Sequence, residues 1–136
     1  MSLHHHPVPG LSILILDDDR LVLSFLSDFL KHKGHAVTPI LDARDLERAV
    51  RENKCNAAVV DIRLKGEEGL QFIPKIKELI SNGPVIVFTA LGYKEEQMQR
   101  ALKLGATGYV SKLLPPEELY AALMRAFESH AAAKAP

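Results

Sequence analysis

Short, uniformly apolar runs alternate along the chain with longer stretches in which apolar residues recur every three or four positions. Ser12-Ile13-Leu14-Ile15-Leu16, Ala57-Ala58-Val59-Val60 and Val85-Ile86-Val87-Phe88 are the clearest short runs, and each closes on polar residues. Runs without a polar face suit strands buried on both sides, the situation of a parallel sheet covered by helices. His35 to Leu41 and Thr107 to Ser111 are weaker strand candidates, expected nearer the sheet edges. Between the strands, Val22, Phe25, Leu26, Phe29 and Leu30 have helical spacing, with Gly34 placed to end that helix. Leu46, Ala49 and Val50 repeat the pattern. Leu70, Ile73, Ile76, Leu79 and Ile80 do so before the stop Asn82-Gly83-Pro84. Pro74 lies inside that third pattern and predicts a kink or a late helix start. Met98, Ala101, Leu102 and Leu104 precede Gly105, and the last helix opens on Pro116-Glu117-Glu118, with Leu119, Leu123, Ala126 and Phe127 toward the core. Five strands alternating with five helices predict an α/β fold with a parallel sheet and right-handed crossovers.

The 136 residues fit one domain. Residues 1–10, which include His4-His5-His6, read as a leader or tag-derived segment, 11–128 as the folded domain, and 129–136 as a flexible alanine-rich tail. Lys and Arg together number 17, as do Asp and Glu, so no basic excess recommends direct binding of nucleic acid. No apolar run approaches the roughly 20 residues of a membrane span, and a cytoplasmic location is the expectation. Cys55 is the only cysteine, which excludes an intrachain disulfide and a thiolate metal cluster. It reads as a small core or rim residue.

In open α/β sheets, ligands bind beyond the carboxyl ends of the strands. The first strand runs into Asp17-Asp18-Asp19, the third into Asp61, the fourth into Thr89, and Lys112 follows the fifth. If strands one and three are neighbours, their ends sit roughly 4.8 Å apart. Asp17, Asp18 and Asp61 would then crowd one pocket, where they must protonate or share a cation; a hard divalent ion such as Mg²⁺ suits an all-oxygen donor set. Asp19 reads instead as a helix cap. A hydroxyl and an ammonium beside such a cluster are what phosphoryl transfer to a carboxylate needs.

These residues resemble the receiver domains of two-component response regulators, the CheY-like superfamily, from about Leu11 to Phe127. The resemblance rests on Ile15-Leu16-Asp17-Asp18-Asp19, on Val59-Val60-Asp61-Ile62-Arg63-Leu64 followed by Gly66, on Phe88-Thr89-Ala90, and on Gly105-Ala106-Thr107-Gly108-Tyr109-Val110-Ser111-Lys112. It implies a doubly wound, flavodoxin-like sheet of strand order 2-1-3-4-5. Asp61 is then the phosphoacceptor, Asp18 the direct Mg²⁺ ligand, Asp17 a ligand acting mainly through water, and the backbone carbonyl of Arg63 completes the metal shell. Thr89 and Lys112 contact the phosphoryl oxygens, and Tyr109 is the aromatic that switches with Thr89. The implied partner is a sensor histidine kinase or a phosphotransfer protein. An output domain or second copy would engage the face of the fourth helix, fifth strand and fifth helix. Self-phosphorylation and slow self-dephosphorylation are the only turnover implied. Two positions depart from the family pattern: Leu113 stands where proline usually follows the lysine, and Lys65 where proline is common after the phosphoacceptor.

Other functions fit the residues less well. A phosphatase using Asp61 as nucleophile commonly needs a general acid two residues on, and Arg63 cannot serve as one. A flavin-binding loop after the first strand wants glycine and free backbone N–H groups, not three aspartates. A receiver that has lost phosphotransfer and acts as an interaction module is the alternative. Tyr93, Arg100 and Arg125 read as solvated helix or loop residues.

Overall fold

The computed structural model describes residues 10–64, 66–90 and 94–134, with side chains through residue 129. The elements run β1 (Ser12–Leu16), α1 (Arg20–His32), β2 (Ala36–Ile40), α2 (Leu46–Asn53), β3 (Ala57–Val60), α3 (Ile73–Leu79), β4 (Val85–Thr89), α4 (Glu95–Leu104), β5 (Gly108–Ser111) and α5 (Pro116–Lys134). The five strands form one parallel sheet in the order β2-β1-β3-β4-β5. The weaker runs are its edges, as their composition predicts, and Pro39 is accommodated on edge strand β2.

Strand side chains alternate between two apolar layers. Leu14, Leu16, Ala58, Val60, Val85 and Val87 face the layer that holds α2, α3 and α4; Ile13, Ile15, Ala57, Val59, Ile86 and Phe88 face the layer of α1 and α5. Burial on both faces is why the runs carry no polar alternation. Pro74 marks a late helix start: the segment Gly69–Phe72 is a 3-10 turn and α3 begins at Ile73, where proline in the first turn loses no hydrogen bond. Two side chains in helical apolar patterns point to solvent instead: Phe25 is 55% exposed and Leu102 43%. The seam of α1 is carried by Leu23, Leu26 and Leu30, one position off from Phe25. The helical backbone of α5 continues through Lys134, beyond the limit at 128 expected for the folded domain. Among the described residues no helix is long and apolar enough to cross a membrane. The His4-His5-His6 leader and Tyr93 lie outside the described residues.

A buried histidine ties α5 to the start of the sheet. The Leu11 N–H donates to His35 Nδ1 at 2.9 Å, and His35 Nε2 lies 3.1 Å from Tyr120 Oη. Because Nδ1 accepts, the neutral ring carries its proton on Nε2 and donates it to the tyrosine. Protonation would place a proton on Nδ1 against the Leu11 donor, and burial holds the His35 pKa below its ordinary value. As pH falls below about 6.5, the unfolded chain takes up this proton before the folded one does, so stability drops in that window. His35→Asn should lose about 1 kcal/mol at neutral pH. Between about pH 7.5 and pH 5.5 it should also show a shallower decline than wild type in urea titrations. Parallel declines in the two proteins would remove His35 as the acid-sensitive group.

Candidate phosphoacceptor site

Strand register builds the site. Leu16 of β1 pairs with Val60 of β3, so Asp17 and Asp61 are the next residues off two adjacent strand tips. The Asp61 N–H donates to the Leu16 carbonyl at 3.0 Å and the Asp17 N–H to the Ile40 carbonyl at 3.2 Å, which fixes both backbones as they leave the sheet. On the far side Thr89 of β4 pairs with Ser111 of β5, and the Lys112 N–H donates to the Thr89 carbonyl at 2.8 Å. Lys112 therefore leaves its strand level with the acids.

The side chains converge. Carboxylate oxygens of Asp17, Asp18 and Asp61 all lie within 4.8 Å of one another. Asp17 and Asp61 are buried and Asp18 is open to solvent, so the cluster is a pocket with one exposed wall. Lys112 Nζ donates to Asp17 Oδ2 at 2.7 Å and to Asp61 Oδ2 at 3.1 Å. The other oxygen of Asp17 accepts the Asp19 N–H at 3.0 Å, so this carboxylate is held from both ends. Asp19 is the cap of α1, accepting from the N–H groups of Leu21 and Val22 at 2.9 and 3.3 Å.

Burial pushes the Asp61 carboxyl above its ordinary value. The Lys112 charge pulls it back, neighbouring Asp17 raises it, and hydrogen bonds from Lys112 and the Arg63 backbone N–H favour the charged form. Burial alone would lower Lys112, but its hydrogen bond to Asp17 and the charges of both acids outweigh that and hold its pKa up. The lysine sits closer to Asp17, which leaves Asp61 the less compensated carboxylate. An oxygen-rich cluster short of positive charge fits a hard divalent ion such as Mg²⁺.

Thr89, buried at the tip of β4, and Tyr109, buried in β5, lie on the strands that deliver Lys112. Leu113 does not displace the lysine: there is no cis peptide among the described residues, and Leu113 itself is 82% exposed. Lys65 lies outside the described residues. Arg63 opens a two-residue antiparallel ribbon, Arg63–Leu64 with Glu67–Glu68, that periodicity did not predict; Gly66 at its tip has φ +75°, a left-handed turn that favours glycine. Gly69 also escaped notice. Its N–H donates to the Ile62 carbonyl at 2.5 Å, and a Cβ there would stand 1.8 Å from the Asp61 carbonyl oxygen. Only glycine lets the chain return this closely behind Asp61. Arg100, expected to be solvated, is half exposed and paired with Glu68.

The family model of the response regulator receiver domain matches residues 13–124. The two-component response regulator PhoP of Pseudomonas aeruginosa is 31% identical over 113 residues, covering 83% of this chain and 50% of its own length. The chain spans about half the length of the curated relatives it matches. Among solved structures, the BeF3-activated DrrB receiver domain superposes with TM-score 0.76 at 28% identity, covering 88% of this chain and 98% of the other. A Burkholderia pseudomallei response regulator with a phosphorylated aspartic acid, calcium ion and citrate superposes with TM-score 0.78 at 25% identity, covering 92% of this chain and 74% of the other.

Gly69→Ala should cost about 1–3 kcal/mol of folding stability, because the methyl group must displace the backbone of Asp61. It should also weaken Mg²⁺ binding, read by titration of the amide spectrum. Wild-type stability and Mg²⁺ affinity in the variant would show that the close approach is dispensable.

Proposed function

Because the chain belongs to the response regulator receiver domain family, we propose that it is a phosphorylation switch whose phosphoacceptor is Asp61. One observation carries this reading: a buried aspartate shares a pocket with two further carboxylates and with the ammonium of Lys112, 3.1 Å away. A Burkholderia relative of the same fold carries a phosphorylated aspartic acid and a calcium ion, which supports the chemistry without assigning it residue by residue.

Asp17, Asp18 and Asp61, with the backbone carbonyl of Arg63, would hold Mg²⁺. When bound, the ion supplies charge compensation for phosphoryl oxygens entering an acidic pocket. An Asp61 carboxylate oxygen attacks phosphorus in line, the new P–O bond forms as the bond to the donor breaks, and the donor keeps that electron pair. With a phosphohistidine donor the leaving group is an imidazole, which picks up its proton from solvent. Lys112 starts close by, since its ammonium already lies against Asp61 and can turn toward a phosphoryl oxygen. Thr89, at the tip of the next strand, offers a hydroxyl donor to another. The added charge draws both inward and shifts the face of α4, β5 and α5, through Tyr109, toward a state that binds an output domain or a second copy.

The phosphodonor partner is a sensor histidine kinase or phosphotransfer protein. Leu21, just inside α1, is 81% exposed and Leu113, next to Lys112, is 82% exposed, so apolar side chains border the acidic tips on two elements. Burying one against a partner is worth about 1.5–3 kcal/mol.

Incubation with acetyl phosphate and Mg²⁺ should add one phosphoryl group to the intact protein by mass spectrometry. Asp61→Asn should abolish the adduct, and Asp18→Ala should slow it by at least about tenfold. An adduct that survives Asp61→Asn ends the assignment. Leu21→Ser should slow transfer from a phosphorylated donor protein about tenfold and leave the acetyl phosphate rate unchanged. Equal effects on both donors would rule out a docking role.

A further inference from the structure

Arg100 and Glu68 join two elements that the switch reading treats separately. The Arg100 guanidinium of α4 donates to the Glu68 carboxylate, bridging 32 positions in sequence. Glu68 pairs across the ribbon with Arg63, whose N–H bonds the Asp61 carboxylate. On its other side Glu68 adjoins Gly69, which is fastened to the Ile62 carbonyl directly after Asp61. A connected path thus runs from the phosphoacceptor to the middle of α4 without passing through Thr89.

The seat of α4 is otherwise slight. Ala101 is the only fully buried residue among its ten, with Met98 and Leu104 partly buried. Between the helix and the ribbon lies an open groove of about 460 Å³, edged by Leu64, Glu67, Lys94 and Gln97. At this interface an ion pair holds the helix.

We propose that the Glu68–Arg100 pair is a latch that keeps α4 in its resting seat and sets how readily phosphorylation releases it. The proposal rests on the switch reading and adds a second coupling route between Asp61 and α4. Cutting the latch lowers the cost of moving the helix, so the activated state is reached at lower ligand.

The test uses beryllofluoride with Mg²⁺ as the probe and the amide spectrum of α4 as the readout. Glu68→Gln and Arg100→Gln should each bind the probe about two- to fivefold more tightly, the range of an exposed ion pair. The double variant should match either single one, and the reversed pair Glu68→Arg/Arg100→Glu should return toward wild type. Unchanged or weakened binding in the two single variants, or additive effects in the double, overturns the latch. Amide exchange of α4 without fluoride supplies the separate control. A wild type that ignores the probe refutes the switch reading. Faster α4 exchange in the single variants still supports the latch in that case, and unchanged exchange overturns it.

Discussion

Like charges forced together by parallel pairing are the constraint from which the molecule's other features follow. The register Leu16 with Val60 leaves Asp17 and Asp61 no choice but to emerge side by side, and both are buried. In water such a pair would separate; here the sheet hydrogen bonds hold both backbones. The repulsion has to be met inside the pocket, and Lys112 meets part of it from the opposite strand pair. A lysine shared between two buried acids offsets part of that repulsion; the Asp61 carboxyl is pushed above its ordinary value first by burial, and the neighbouring Asp17 adds to it. On the switch reading proposed above, a hard cation would offset this crowding of carboxylates.

The two sides of the sheet are packed differently. On one side α1 and α5 bury Leu23, Leu26, Leu30, Leu119 and Leu123 against the strands, and His35, Phe29 and Tyr120 link them through ring contacts and a hydrogen bond. Moving either helix would break an extensive apolar layer. On the other side α4 buries a single alanine completely and leans on an ion pair to the ribbon behind Asp61. Dense packing transmits strain but does not yield; a loosely seated helix yields. On the switch reading proposed above, a charge change at Asp61 would be expressed on the α4 side, where little apolar contact has to be given up.

Much of this was legible in the sequence, and what was not has a physical reason. Runs such as Ile13 to Leu16 and Val85 to Phe88 announce strands because burial on both faces leaves no place for a polar residue. Asp17, Asp61 and Thr89 stand out because each follows or ends such a run, and Lys112 because it follows the weaker fifth strand. Phe25 and Leu102 misled because helical spacing gives a stripe, not its centre, and the seam of α1 runs one residue away through Leu26 and Leu30. The ribbon around Gly66 is too short for periodicity to register. Gly69 and Arg100 were opaque for a different reason. Their roles depend on what lies opposite them, the Asp61 carbonyl in one case and Glu68 in the other, and no local pattern encodes a partner 32 positions away. His35 belongs with these, since its two nitrogens are committed to Leu11 and Tyr120.

Leu113 shows which determinants of the site are local and which belong to the sheet. The resemblance to the receiver pattern draws attention to Leu113, because a proline after the lysine would invite the view that it aims the ammonium. In this structure the aim is set earlier. The Lys112 N–H is bonded to the Thr89 carbonyl, so β4 and β5 have already fixed where the lysine leaves the sheet before Leu113 begins. The turn that follows is closed by Ser111, whose hydroxyl accepts the Leu113 N–H and whose carbonyl accepts that of Leu114. A proline at 113 would have no N–H to give the serine, so the two residues are alternative ways of shaping one turn. What the leucine changes is the outside: an 82% exposed apolar side chain beside the acidic pocket, where the family pattern has a rigid ring. The substitution therefore bears on what approaches Asp61 and leaves the reach of Lys112 to the strands.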